Sequence, residues 1–382
     1  MNKIHAPSLN SVLQPVATAK GLPNAHYMDP ETAADERNKV FFANWTAIGF
    51  GKDVSEPGSA LPLEFMGLPL LVVRDDDGTI RVFQNTCRHR GMILMEQPGK
   101  VKGVIRCPYH SWCYSKAGNL ITTPHVGGPG VNVSPEIKRD ELGLIEFRSH
   151  VWNDIIFVNI SGDAPAFEDY AKDLLQRWQE FDKPIYHGGP ESSLKLEVKC
   201  NWKLAVENYC ESYHLPWVHP GLNSYSRLED HYHIVSPESF SGQGTMVYNP
   251  KLDDSGRTFA NFDNLSSKWD TSAEYVALYP NVLLGIHRDH AFAIVLQPVD
   301  PENTIENIEI YYAQESAIHD DMKDLRQKNS DLWKEVFGED VFVVEGMQKG
   351  RHGIRFDGGK FSPVMDEPTH AFHHWIATRF NC

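Results

Sequence analysis

The sequence predicts an α+β protein: a small antiparallel β domain, then a larger domain that mixes an antiparallel sheet with helices. Three observations carry this. From Leu61 to about Ile160 the chain runs in short apolar stretches broken by turn residues, the mark of antiparallel strands. Beyond Pro184, β runs are mixed with stretches of helical period. The 382 residues, at roughly 150 per domain, make room for two domains. The expected divisions are 1–40 for an N-terminal arm and the start of a helix, 41–163 for the β domain and 164–382 for the larger one.

Taken in order, the first ~25 residues are polar and Pro-punctuated, and read as a loose arm. Residues 30–46 read as a helix: Pro30 suits its first turn, Glu31 and Asp35 favour its N-terminal dipole, and Val40, Phe41 and Trp45 share a stripe. In the β domain, Leu70–Val73 and Ile80–Phe83 flank Asp77-Gly78, a strong hairpin signal. Further turns fall at Ala117-Gly118-Asn119 and Gly127-Gly128-Pro129-Gly130. Residues 165–183 read as helical, with Phe167, Tyr170, Leu174, Leu175 and Trp178 at helical spacing. The larger domain offers β runs at Tyr275–His287, Ala291–Gln297 and Ile305–Ala313, with helices near 201–214 and 316–349.

Composition narrows the function. With 36 Lys+Arg against 51 Asp+Glu, the net charge of −15 repels phosphate backbones and anionic membranes, so neither nucleic acid nor membrane is an expected partner. No apolar run approaches the ~20 residues of a spanning helix. The start MNKIHAPSLNSVL lacks the apolar core of a signal peptide. Six Cys are too few for a disulfide framework, and a reducing cytoplasm is the expected setting. Neither G-x-G-x-x-G nor G-x-x-x-x-G-K-[ST] occurs, so electrons for any redox chemistry have to come from a separate reductase.

Two clusters carry metal chemistry. The first is Cys87-Arg88-His89-Arg90-Gly91 and, with 17 residues between His89 and Cys107, Cys107-Pro108-Tyr109-His110. Two thiolates and two imidazoles on tight loops suit either tetrahedral zinc or a [2Fe–2S] cluster with two Cys on one iron and two His on the other. Zinc modules usually pair Cys with Cys and His with His. Here each loop supplies one of each, which favours the mixed-ligand cluster.

The second cluster lies in Glu207-Asn208-Tyr209-Cys210-Glu211-Ser212-Tyr213-His214-Leu215-Pro216-Trp217-Val218-His219. Glu207, Glu211 and His214 share one helical stripe, at i, i+4 and i+7, with Asn208 beside it. An all-helical His219 would stand ~140° round from His214, and Pro216 is expected to turn the chain so that both imidazoles face one ion. Two His without a nearby Cys suit Fe(II) with a third carboxylate ligand and open positions for oxygen.

The paired motifs CRHRG and CPYHSW resemble those of Rieske [2Fe–2S] domains. Glu207, Asn208, Glu211, His214 and His219 match the mononuclear-iron motif E-N-x-x-[DE]-x-x-H-x-x-x-x-H of Rieske non-haem iron oxygenases. The resemblance runs from about residue 40 to 350 and implies a helix-grip-like catalytic domain, one Rieske cluster held by Cys87, His89, Cys107 and His110, and one mononuclear Fe(II) per chain. It implies that the third iron ligand is an acid on a C-terminal helix. Leu332–Met347 offers Glu335, Glu339, Asp340 and Glu345, with Asp340 preferred, Glu339 next and Glu345 third. It further implies a homotrimer in which Glu211 joins the iron of one subunit to His110 of the next, and an NAD(P)H-dependent flavin/iron–sulfur reductase as partner.

Glu at 211, where many ring-hydroxylating dioxygenases carry Asp, resembles the branch that oxidises carnitine, glycine betaine and similar substrates. The expected reaction is therefore O₂-dependent monooxygenation or demethylation of a quaternary ammonium compound. The alternatives are an aromatic-ring dioxygenase or aryl O-demethylase and, in another class, a Rieske electron-transfer protein. An aromatic box drawn from Tyr209, Tyr213, Trp217, Tyr225, Tyr232, Tyr248, Trp269, Tyr275 and Tyr279 would favour a cation. Cys113, Cys200, Cys210 and Cys382 lack metal spacing and read as packing or free thiols. His370, His373 and His374 read as part of a C-terminal surface helix.

Overall fold

The computed structural model describes residues 9–253 and 255–380. The chain forms two compact units, Trp45–Ala164 and a second made of Met1–Asn44 with Pro165–Cys382.

The first unit holds ten strands: β1 (Thr46–Phe50), β2 (Ser59–Phe65), β3 (Leu68–Arg74), β4 (Ile80–Gln84), β5 (Gly99–Lys100), β6 (Ile105–Arg106), β7 (Cys113–Tyr114), β8 (Leu120–Thr122), β9 (Glu146–Trp152) and β10 (Ile155–Asn159). Seven form an antiparallel sheet in the order β1-β10-β9-β4-β3-β2-β5, and β6-β7-β8 form a second, small sheet. The hairpin expected at Asp77-Gly78 joins β3 to β4, with Gly78 at φ 87°, a conformation that needs no Cβ. Leu71, Val73, Phe83, Trp112 and Tyr114 form a core that also encloses Cys87 and Cys107. The packed interior therefore ends at the two cysteine-bearing loops.

In the second unit, α1 (Ala25–Met28) and α2 (Pro30–Glu36) precede α3 (Phe167–Tyr170), α4 (Lys172–Arg177), α5 (Trp202–Cys210), α6 (Leu215–Val218), α7 (Pro220–Asn223), α8 (Lys323–Arg351) and α9 (Glu367–Phe380). Its antiparallel sheet comprises β11 (Tyr186–His187), β12 (Ser193–Val198), β13 (His231–Ser236), β14 (Phe240–Thr245), β15 (Ala273–Leu278), β16 (Val282–Ile286), β17 (His290–Asp300) and β18 (Asn303–Tyr312). The order is β11-β18-β17-β16-β15-β14-β13, with β12 also on β18. Helix α5 packs on β14, β15 and β17, with α8 and α9 beside it. This is the α+β arrangement of sheet and gripping helix expected from the sequence.

Four local expectations are corrected. Within the described residues 9–25, Val12, Ala19 and Leu22 are buried, so this stretch is packed into the second unit and is no loose arm. The helix from Pro30 continues as a π-type turn only to Phe42, because Asn44 Nδ2 donates to the carbonyls of Val40 (2.7 Å) and Lys39 (3.3 Å), and Trp45 leads into β1 instead. The run Tyr275–His287 is two strands, β15 and β16, turned at Pro280-Asn281. Helix α9 is largely buried, and its His373 is only 2% exposed, so it is not a surface helix. No helix among the described residues is long and apolar enough to cross a membrane. Cys113, Cys200 and Cys210 are buried free thiols, and Cys382 lies outside the described residues.

Candidate metal centres and active-site cavity

Two loops of the β unit are built alike. Cys87 N donates to Met92 O and Gly91 N to Cys87 O, and Cys107 N donates to Trp112 O and Ser111 N to Cys107 O. The fourth residue after each Cys takes positive φ, 71° at Gly91 and 56° at Ser111. The loops bring His89 and His110 to 4.7 Å between ring centroids, and Trp112 stacks on His89 at 4.8 Å. Burial, opposed by the Tyr114 hydroxyl 3.2 Å from Sγ and reinforced by Cys107, raises the Cys87 pKa. Burial, with His110 and Arg90 adding to it, lowers the His89 pKa and keeps a free ring nitrogen. His110 Nδ1 is buried and unpartnered among the described residues. An uncovered lone pair there, beside two buried thiols, fits a bound cluster.

In the second unit, Asn201 caps α5 by accepting from Lys203 N at 3.1 Å. The helix stops at Cys210, and Glu211 is extended at φ −122° and ψ 159°. The single helical stripe read from the sequence is thereby corrected. The Glu211 carboxylate takes the backbone N–H of Tyr213 and, at 3.3 Å, that of His214, replacing the bonds a continuing helix would make. Pro216 then opens the short helix α6, with His214 before it and His219 after it, so the break lies upstream of the proline rather than at it.

The result gathers three groups. Ligand atoms of His214, His219 and Asp340 lie within 4.8 Å of one another, the only such set among the described residues. Asp340 Oδ1 is 2.9 Å from His219 Nε2 and 3.7 Å from His214 Nε2, yet it is buried without a well-aligned hydrogen bond. The outer nitrogens are both engaged: His214 Nδ1 lies 2.7 Å from Glu211 Oε1, and His219 Nδ1 lies 2.7 Å from Glu339 Oε2. With Nδ1–H donating outward, both Nε2 lone pairs face Asp340, as a divalent metal requires. Burial disfavours the His219 imidazolium, but Asp340 and then Glu339 outweigh it and raise its pKa.

The other expected residues divide. Glu345 accepts from Lys199 N at 3.2 Å and lies apart from the triad, and Glu207 faces away into a buried ring of Tyr27, Arg351 and His373. Asn208 lines the cavity beside the triad. Of the proposed aromatic box, Tyr209 and Tyr275 line it, whereas Trp217 (71% exposed) and Tyr213 do not. Sequence reasoning missed Phe292, Trp333 and Phe337 in the same wall, together with Gln243 and His231. Phe292 lies over Gly285, where an added Cβ would sit 2.3 Å from its ring. It also missed that Glu339 orients His219; the acidic pair Glu339-Asp340 was the available signal.

Comparison with known proteins agrees with this geometry. Residues 44–135 match the Rieske [2Fe-2S] domain family, and residues 175–381 match the ring hydroxylating alpha subunit (catalytic domain) family. The chain is 27% identical over 372 residues to the carnitine monooxygenase oxygenase subunit of Escherichia coli (strain K12), covering 94% of this chain and 93% of that one. It is 26% identical over 369 residues to the chloroplastic choline monooxygenase of Atriplex hortensis, covering 95% and 79%. A quaternary ammonium Rieske monooxygenase solved with L-carnitine shares the fold at TM-score 0.74 and 21% identity, covering 99% of each chain. Naphthalene 1,2-dioxygenase from Rhodococcus sp. does so at 0.71 and 18%, covering 94% of each. With a Rieske domain ahead of a catalytic domain that binds mononuclear iron in this family, the chain belongs to the ring-hydroxylating alpha subunits, the oxygenase components of Rieske systems, and is an oxidoreductase that works with O₂ and a partner reductase.

Proposed function

We propose that this oxygenase hydroxylates a quaternary ammonium substrate of the betaine or carnitine kind. The observation that carries the reading is the cavity wall: Tyr209, Tyr275, Phe292, Trp333 and Phe337 line it beside the triad, and no Lys or Arg lines it among the described residues. Such a wall attracts a cation through ring quadrupoles, by ~0.5–2 kcal/mol per well-placed ring. The names of the carnitine and choline monooxygenases support the same substrate class.

In this reading His214, His219 and Asp340 hold Fe(II), and Cys87, His89, Cys107 and His110 hold the cluster. When bound, the cluster passes on single electrons and the iron activates O₂. Glu211 fixes the His214 tautomer and, in a head-to-tail homotrimer, connects to the cluster of a neighbouring subunit; the electrons enter from a flavin/iron–sulfur reductase using NAD(P)H. Asn208 is a polar group on the cavity wall. The overall reaction at an N-methyl group takes O₂, two electrons and two protons, gives the N-hydroxymethyl compound and water, and the N–CH₂OH bond then breaks to release amine, formaldehyde and a proton.

Oxygen uptake with a surrogate reductase tests this. Glycine betaine or carnitine analogues are expected to yield formaldehyde or another C–H hydroxylation product in step with O₂. Formation of a cis-diol from an aromatic acid, with no response to any quaternary amine, would replace the reading with ring dioxygenation.

A further inference from the structure

A second cavity, to which Tyr248, His287 and Arg288 contribute, adjoins the iron cavity through the contact of His287 with Tyr275. Two polar atoms of its lining residues are buried without a partner among the described residues: Tyr248 Oη and His287 Nδ1. Tyr248 is 7% exposed and His287 1%. Leaving such a group unpaired is costly, so two among the lining residues of one cavity call for a ligand.

The chemistry of the pair is that of donors. Burial pushes the Tyr248 hydroxyl well above its ordinary pKa, so it keeps its proton, and burial holds His287 neutral. His287 Nε2 lies 3.1 Å from Tyr275 Oη, a residue of the iron cavity. With the phenol donating to Nε2, Nδ1 carries the ring proton. Of the charged side chains that line it, Asp289 Oδ1 lies 2.6 Å from His290 Nδ1, Arg257 is held by Asp253 and Asp324, and Asp270 is a second acid. Arg288 donates to the carbonyl of Asp270 and keeps its positive charge on the cavity.

We propose that this cavity is a carboxylate-accepting subsite in which Tyr248 Oη–H and His287 Nδ1–H donate to the carboxylate and Arg288 supplies the charge. As the receiver of the substrate's tail it rests on the quaternary ammonium reading, and it selects betaine-type acids over the corresponding alcohols. The hydrogen bond that the Tyr275 phenol donates to His287 Nε2 ties the two cavities together.

The test uses the iron-loaded enzyme and 3,3-dimethylbutyrate, which has the carboxylate but no ammonium, against 3,3-dimethylbutanol. Calorimetric titration is expected to show that Tyr248→Phe and His287→Leu each weaken the acid by roughly tenfold or more, and the alcohol far less. Because Tyr248 Oη has no partner in the fold, Tyr248→Phe should leave the melting temperature equal or higher. In turnover, the variants should raise the KM of glycine betaine several-fold more than that of choline. Unchanged binding of the acid, an equal loss for the alcohol, or a fall of several degrees in Tyr248→Phe would each overturn the subsite and leave ordinary buried water in its place. If no quaternary amine is oxidised while the acid still depends on Tyr248, the substrate reading falls and the subsite stands. If amines are oxidised without that dependence, the reverse holds.

Discussion

Glu339 Oε2 lies 2.7 Å from His219 Nδ1, while the adjacent Asp340 sets Oδ1 2.9 Å from Nε2 of the same ring. One acid therefore fixes the imidazole, and its neighbour faces the opposite ring nitrogen. Two consecutive residues of α8 point at opposite nitrogens because His219 inserts between their side chains.

Removing the outer acid should loosen the metal without removing a ligand. Glu339→Ala is expected to weaken iron binding by roughly 10- to 100-fold, and Glu339→Gln by less, since its amide oxygen still accepts from Nδ1. Iron content after dialysis against a graded chelator gives the order. Equal retention by wild type and both variants would contradict it.

Glu211 makes the matching contact to His214 at 2.7 Å. Glu211→Gln keeps the backbone acceptor and the fold but removes the charge, so both metals should stay bound while turnover drops by roughly 100-fold or more. Rapid-mixing spectroscopy should show the cluster reduced normally and reoxidised slowly.

Tyr114 Oη stands 3.2 Å from Cys87 Sγ. A hydrogen bond to that sulfur favours the reduced cluster, so Tyr114→Phe should lower the reduction potential. A net ~1 kcal/mol corresponds to about 40 mV for one electron. Protein-film voltammetry reads the shift directly, and an upward change would refute the contact.

His26 is buried and held neutral, its pKa pushed down to about 3 by burial and then by Lys203 and His373. The unfolded chain binds the proton at about 6.5. Between roughly pH 6.5 and 3 the unfolded state therefore carries more protons, and stability falls as pH falls, by up to about 1.4 kcal/mol per unit from this residue. His26→Phe, which keeps a ring against Phe380, should flatten that slope in urea titrations at pH 7 and 5.5. Identical slopes would mean the histidine is charged in the fold.

The metal motifs were legible because ligation demands short, fixed spacings: Cys87 to His89, Cys107 to His110, and Glu211 through His219. Asp340 stands far away in sequence, and no local pattern separates it from Glu335 or Glu345; only resemblance singled it out. The cavity wall was not legible either. Phe292 and Trp333 come from β17 and α8, and their convergence depends on how the sheet curls beneath α5. The end of α5 at Cys210 was hidden for a different reason. Period alone cannot show that the Glu211 carboxylate takes the amide hydrogens of Tyr213 and His214, because that competition is settled by side-chain chemistry.

Glu207, one turn before Glu211, meets Tyr27, Arg351 and His373, so α5 is clasped by residues from both sides of the Trp45–Ala164 segment. During synthesis the cysteine-bearing unit is complete once residue 164 has emerged. The residues before Trp45 must wait until α9 is made, roughly 10–40 s later at ordinary elongation rates. The cluster-bearing half of each chain thus has a head start on the iron-bearing half, and a ribosome stalled beyond residue 164 would display the first without the second.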